Sequence, residues 1–145
     1  MENQKTELQL VKDLERKLYD MGFTVSVIAE PETMNPSDCF DDEQASWIRN
    51  ELETNSSEWT WCQVTLKIEI DVMGFSSGLE SEVYLGGCSY KNADDFKVGG
   101  YYVDMIHECL GNLTCECRSA AKRIQAMDFD EASIAVSNYN GQVQP

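Results

Sequence analysis

Leu8, Val11, Leu14, Leu18 and Met21 recur at steps of three and four residues with Lys12, Asp13, Glu15, Arg16 and Lys17 between them. This spacing predicts an amphipathic helix from Glu7 to Met21, stopped by Gly22. Phe23, Val25 and Val27 then alternate with Thr24 and Ser26, which switches the period to two and predicts a short strand packed back on the helix. Pro31, Asn35, Pro36, Ser37 and Asp38 make Glu30 to Asp42 a surface loop. Asp41 or Asp42 then caps a short helix running through Thr54, with Trp47, Ile48 and Leu52 as its apolar stripe.

The clearest alternation follows. Cys62, Val64, Leu66, Ile68, Ile70 and Val72 point one way, while Trp61, Gln63, Thr65, Lys67, Glu69 and Asp71 point the other, as in a half-buried strand. Gly74, Ser76, Ser77 and Gly78 are read as a turn into an antiparallel partner, on which Leu79, Ser81, Val83 and Leu85 alternate with Glu80, Glu82 and Tyr84. After Gly86 and Gly87, Asn92 to Gly100 reads as a polar loop. Helical spacing resumes from Tyr102 through Met105, Ile106, Cys109, Leu110, Leu113, Cys117, Ala120, Ala121 and Ile124, to about Ala126, and predicts a long helix over the sheet's apolar face. The expected fold class is α+β: an N-terminal helix and an antiparallel sheet of about three strands with a long hairpin, covered by a long C-terminal helix. Residues 1–126 are expected to form one domain and residues 127–145 a loosely attached tail.

Charge changes the picture more than composition does. The 145 residues include 42% hydrophobic positions and fourteen aromatics, enough for a folded core. The net charge is −15, and residues 21–60 supply −8 of it, with nine acids against Arg49 alone. Direct binding to nucleic acid or to an anionic membrane is disfavoured by such a surface. Met1 to Glu7 has no basic segment leading into an apolar stretch, and no window nears the roughly eighteen apolar residues of a span, so a cytosolic location is expected. There, Cys39, Cys62, Cys88, Cys109, Cys115 and Cys117 are expected as free thiols.

Between Trp59 and Met105 the chain reads Trp-Thr-Trp-Cys-Gln-Val, then Tyr-Leu-Gly-Gly-Cys-Ser-Tyr, Asp-Asp-Phe and Gly-Gly-Tyr-Tyr-Val-Asp-Met. This pattern resembles a group of small uncharacterised proteins of phages and other mobile elements. The resemblance covers about a third of the chain and implies a mobile-element origin, but no activity and no catalytic residue.

Candidate chemistry is sparse. His107, the only histidine, lies two residues from Cys109 and on a different helical face, and the surrounding acids would raise a thiol pKa, so a Cys–His nucleophile is disfavoured. Cys115-x-Cys117 is too close on a helix for one zinc ion, and the acids after Asp128 lack the glycine and closing glutamate of a calcium loop. No phosphate loop, nucleophile elbow or dinucleotide fingerprint occurs, so no catalytic residue, metal or cofactor is expected.

Three functional readings follow. In the first, Glu30, Glu32, Asp38, Asp41, Asp42, Glu43, Glu51, Glu53 and Glu58 imitate phosphates, with Trp47 and Trp59 as apolar anchors. The chain is then an inhibitor of a basic, nucleic-acid-handling host protein, of anti-restriction or anti-CRISPR type, acting as a monomer or homodimer. The blander reading of the same acids is a solvated face. In the second, the chain is a small-molecule-binding protein or an enzyme with its site at the corner from Gly86 to Tyr102, where Tyr84, Tyr90, Asp94, Asp95, Tyr101, Asp104 and His107 are candidates, although an aromatic corner is more often packing. In the third, the chain is a structural or self-associating domain that pairs through an exposed sheet edge.

Overall fold

The computed structural model describes residues 4–143. Met1–Asn3, part of the N-terminal reading above, and residues 144–145 of the expected tail lie outside them. The chain divides into two compact units, Met1–Thr114 and Cys115–Pro145.

The first unit opens with α1 (Glu7–Asp20), started by a capping box in which the Thr6 hydroxyl accepts from the Gln9 N–H and Gln9 Oε1 accepts from the Thr6 N–H. Gly22 ends it at φ +98°, and a Cβ there would sit 3.0 Å from the Asp71 carbonyl, so only glycine fits. The first strand, β1 (Phe23–Pro31), is longer than the alternation indicated, because it pairs with β2 (Cys62–Val72) from Phe23↔Ile70 to Pro31↔Cys62. A 3₁₀ turn at Pro36–Asp38 leads to α2 (Asp42–Thr54), whose N-cap Asp41 accepts from the Gln44 N–H at 2.9 Å. The partner of β2 on its other side is β3 (Phe75–Cys88), which gives a three-stranded antiparallel sheet of order β1-β2-β3. Then come α3 (Ala93–Lys97) and α4 (Tyr101–Ala126), which contributes residues 101–114 to this unit. The α+β architecture is the one the periodicities predict.

The main core joins Val11 and Leu18 of α1, Cys62, Val64, Leu66 and Ile68 of β2, Val83 and Cys88 of β3, Phe96 of α3, and Tyr102, Met105, Ile106, Cys109 and Leu113 of α4. Outside it, Pro36, Ala45, Ile48 and Trp61 are also buried. Lys97 and the Tyr102 hydroxyl both donate to Glu15 Oε2, at 2.8 and 2.7 Å, which ties α1 to α3 and α4.

Several expectations are corrected. The hairpin turn is Met73–Gly74, both at positive φ, with Val72 opposite Phe75; Ser76 to Gly78 belong to β3. A register shift between Glu69 and Asp71 turns the end of β2, so Ile70 is half-buried and Val72 exposed. Trp61, expected on the wet face, is buried, its Nε1–H donating to the Met34 carbonyl at 2.7 Å. The supposed polar loop contains α3, fixed by buried Phe96. Cys117, Ala120, Ala121 and Ile124 are not among the buried residues; the first half of α4, about 20 Å long, already reaches across a three-stranded sheet.

The second unit contains the end of α4 and α5 (Phe129–Val143), so the expected tail is largely helical, with no buried residue in α5. No helix among the described residues is long and apolar enough to cross a membrane.

Candidate binding surface

On α2, Ala45 and Ile48 are buried while Trp47 stands 55% exposed. One helical turn to either side, Glu43 and Glu51 share its face, about 6 Å along the axis each way. Asp42, Glu43 and Glu53 are exposed. The only base of the segment, Arg49, donates to Asn35 Oδ1 at 3.0 Å and to the Ser37 hydroxyl, both neutral, so it leaves the neighbouring carboxylates uncompensated.

The acids named from the sequence do not form one surface. Asp41 is the α2 cap. Glu32 is a structural clamp: Oε2 accepts from the Gly87 N–H at 2.9 Å, and Oε1 accepts from the N–H groups of Thr33 and Met34 at 3.0 and 3.1 Å. The Gly87 N–H, followed by that of Met34, holds its carboxyl below the ordinary range. Asp38 closes the 3₁₀ turn and Glu58 lies in the link to β2. Trp59 is no free anchor, since its ring stacks on Phe96 at 5.6 Å.

Glu30 belongs to the open face of the sheet, which the sequence reading did not single out. There Lys67 is flanked by Glu69 at 2.9 Å and Glu80 at 3.9 Å, and lies opposite Ser26 and Glu82 in register. Its hydrogen bond to Glu69 raises its pKa. Tyr84 also lies on this face, donating to Glu82 Oε2 at 2.6 Å, an acceptor that raises the phenol's pKa. The alternation that identified β2 and β3, placed beside β1, already contained this face; only the strand order was missing.

The aromatic corner is mostly core. Phe96 is fully buried and meets Tyr90 at 5.2 Å and Tyr102 at 5.9 Å, both edge-on. The polar candidates disperse: Asp94 pairs with Lys12 at 3.7 Å, Asp95 accepts from the Lys91 N–H at 2.9 Å, and Tyr101, Asp104 and His107 are exposed on the first turns of α4. Tyr90, Lys91 and Asp95 do, however, line an open groove of about 500 Å³ together with Trp47, Glu51 and Thr60. The two candidate regions, far apart in sequence, thus meet at the flank of α2. The two carboxylates outnumber the one lysine, so with the two rings the groove can accept a guanidinium or ammonium group by cation–π and charge-assisted contacts.

Cysteine chemistry is suppressed where the thiols are buried. Burial pushes Cys62 up to about 12 and Cys88 up to about 11, and raises Cys109 as well. In native protein, a disulfide reagent such as DTNB is expected to label the exposed Cys39 and Cys115 rapidly and to reach Cys62, Cys88 and Cys109 only on unfolding. Rapid labelling of all six thiols without denaturant would contradict this burial. Among the described residues no group of three or more His, Cys, Asp or Glu side chains is arranged to hold a metal ion. Comparison of the chain with protein-family models, with curated proteins and with solved structures finds no match, and the functional reading therefore rests on this surface alone.

Proposed function

We propose that this chain is an accessory protein of a phage or mobile element that binds and inhibits a basic, nucleic-acid-handling host protein, presenting carboxylates where that protein receives phosphates. The observation that carries the reading is the outer face of α2: an exposed tryptophan between Glu43 and Glu51, with the segment's one arginine turned to neutral partners. Acids steer a basic surface into contact, and the ring supplies the desolvated anchor that charge alone lacks. The adjoining groove suits an arginine or lysine side chain of that partner. The acidic open face of the sheet adds to the long-range field.

The test begins with capture of partners from a bacterial lysate at low salt, followed by displacement with DNA or with salt. The affinity of the recovered protein is then compared for wild type, Trp47→Ala and the double variant Glu43→Lys/Glu51→Lys. Each change is expected to weaken binding about tenfold or more, while the thermal transition falls by at most a few degrees, the share of Glu43→Lys being the loss of an acid from the first turn of α2. Asp41 is avoided because its loss also removes the helix cap, worth about 1 kcal/mol. A captured nucleic-acid protein that binds all three equally would refute the proposed surface.

A further inference from the structure

The second unit carries an apolar pattern that no described residue of the unit covers. In α5, Phe129, Ala132, Val136, Tyr139 and Val143 follow one another at steps of three, four, three and four, the repeat of a coiled-coil seam. Val136 and Tyr139 are 61% and 63% exposed. Cys117, Ala120, Ile124 and Met127 have steps of three, four and three of their own along the end of α4 and just beyond it, with Ile124 56% exposed. A helix of this length is marginal in water even when rich in alanine, since isolated helices shorter than about 12–15 residues barely form. Here Gly141, Asn138, Asn140 and the β-branched Ile134, Val136 and Val143 lower its intrinsic propensity further. Such a helix persists when its seam is packed.

We infer that the occupant is a second copy of this chain, and that residues 115–143 form a self-association unit in which α5 of each copy lies along the end of α4 of the other. Charge selects this occupant. Residues 115–127 hold Arg118, Lys122 and Arg123 against Glu116 alone, whereas residues 128–145 hold Asp128, Asp130 and Glu131 and no base. A two-fold exchange sets the basic stretch of each copy beside the acidic stretch of the other, because in an isologous interface every contact occurs twice. The positions flanking the α5 seam, Ser133, Ala135, Asn140 and Gln142, are uncharged. Two chains of net charge −15 therefore bring stretches of opposite local charge together here. Pairing through this unit also differs from pairing through a sheet edge, since it uses none of β1 or β3.

Sedimentation equilibrium of the full chain under reducing conditions, from about 1 to 100 μM, tests the inference. Wild type is expected at twice the chain mass, and Val136→Asp, which puts a carboxylate in the seam, is expected to raise the dissociation constant about a hundredfold or more. Val136 lies outside the main core, so the near-ultraviolet signal of the tryptophans should not change. The exchange is tested separately by reversing Arg118, Lys122 and Arg123 to glutamate. That change is expected to weaken the dimer about tenfold. Reversing Asp128, Asp130 and Glu131 to lysine in the same chain should restore it. Three outcomes would overturn the inference: a wild-type monomer with α5 folded back on its own α4, a dimer indifferent to Val136→Asp, or charge reversal without restoration.

Discussion

Replacing Phe96 by alanine is expected to cost the fold about 3–5 kcal/mol, read as a shift of the urea midpoint at unchanged slope. Phe96 has no exposed surface and stands at the centre of a ring cluster: stacked on Trp59 and edge-on to Tyr90 and Tyr102. Removing the ring loses its transfer free energy, the geometry-specific part of three aromatic contacts at about 0.5–1.5 kcal/mol each, and leaves a cavity the neighbouring rings cannot fill without leaving their rotamers. Domains of this size hold roughly 5–15 kcal/mol in total, so the variant keeps at best a narrow margin. The five-residue helix α3 has little stability of its own and is held in place by this side chain. Tyr102→Phe, which keeps the ring and removes the bond to the Glu15 carboxylate, should cost less, about 1.5–3 kcal/mol. A loss below about 1 kcal/mol for Phe96→Ala would mean that the corner is not packed as the structure has it.

The contrast between Phe96 and the helices around it shows where sequence reading succeeds. The seams of α1 and α4 repeat over several turns, and β2 alternates over eleven residues, so period alone locates them. Phe96 is one aromatic in a stretch of asparagine, aspartate, lysine and glycine, and its burial comes from Trp59, Tyr90 and Tyr102, which only the folded chain assembles. The hairpin turn was displaced for a related reason. Gly78 and its serines look like turn chemistry, whereas the actual left-handed pair begins with Met73, a residue that carries no such signal. Period also gave Trp61 the wrong face: it fell on the polar side of β2, yet it lies before the strand begins and turns inward to bond Met34.

The candidate surface was legible in part. The run of acids on α2 follows directly from composition and helix geometry, and so does the place of Trp47 between Glu43 and Glu51. Which acids are free does not. Arg49 lies two residues from Glu51 in sequence and bonds Asn35 and Ser37 instead; Tyr90 and Asp95 reach the groove beside α2 from about forty residues away. Such assignments depend on loop paths, which hydrophobic period does not encode.

Glu32 is the sharpest case and carries the remaining large effect. Its one carboxylate collects three backbone N–H groups, one of them from Gly87, across 55 residues of sequence. Gly87 itself sits at φ +66°, where a Cβ would approach Cys39 Sγ to 3.3 Å, so the end of β3 and the 32–39 loop are fitted to each other around this ion. Glu32→Ala is expected to cost about 2–4 kcal/mol at neutral pH, because hydrogen bonds to a charged acceptor contribute about 1.5–3 kcal/mol and the orphaned N–H groups add a partly solvated penalty. Glu32→Gln, which keeps an acceptor without the charge, should lose about half as much. The native pKa lies below that of the unfolded chain, so the carboxylate's contribution is fully present above the unfolded value and disappears as pH falls through the native one. Urea midpoints measured from pH 7 to pH 3 should therefore show wild type and Glu32→Gln converging on the acidic side of the ordinary glutamate range. A gap between them that stays constant across that interval would show that the clamp does not depend on the ionised carboxylate.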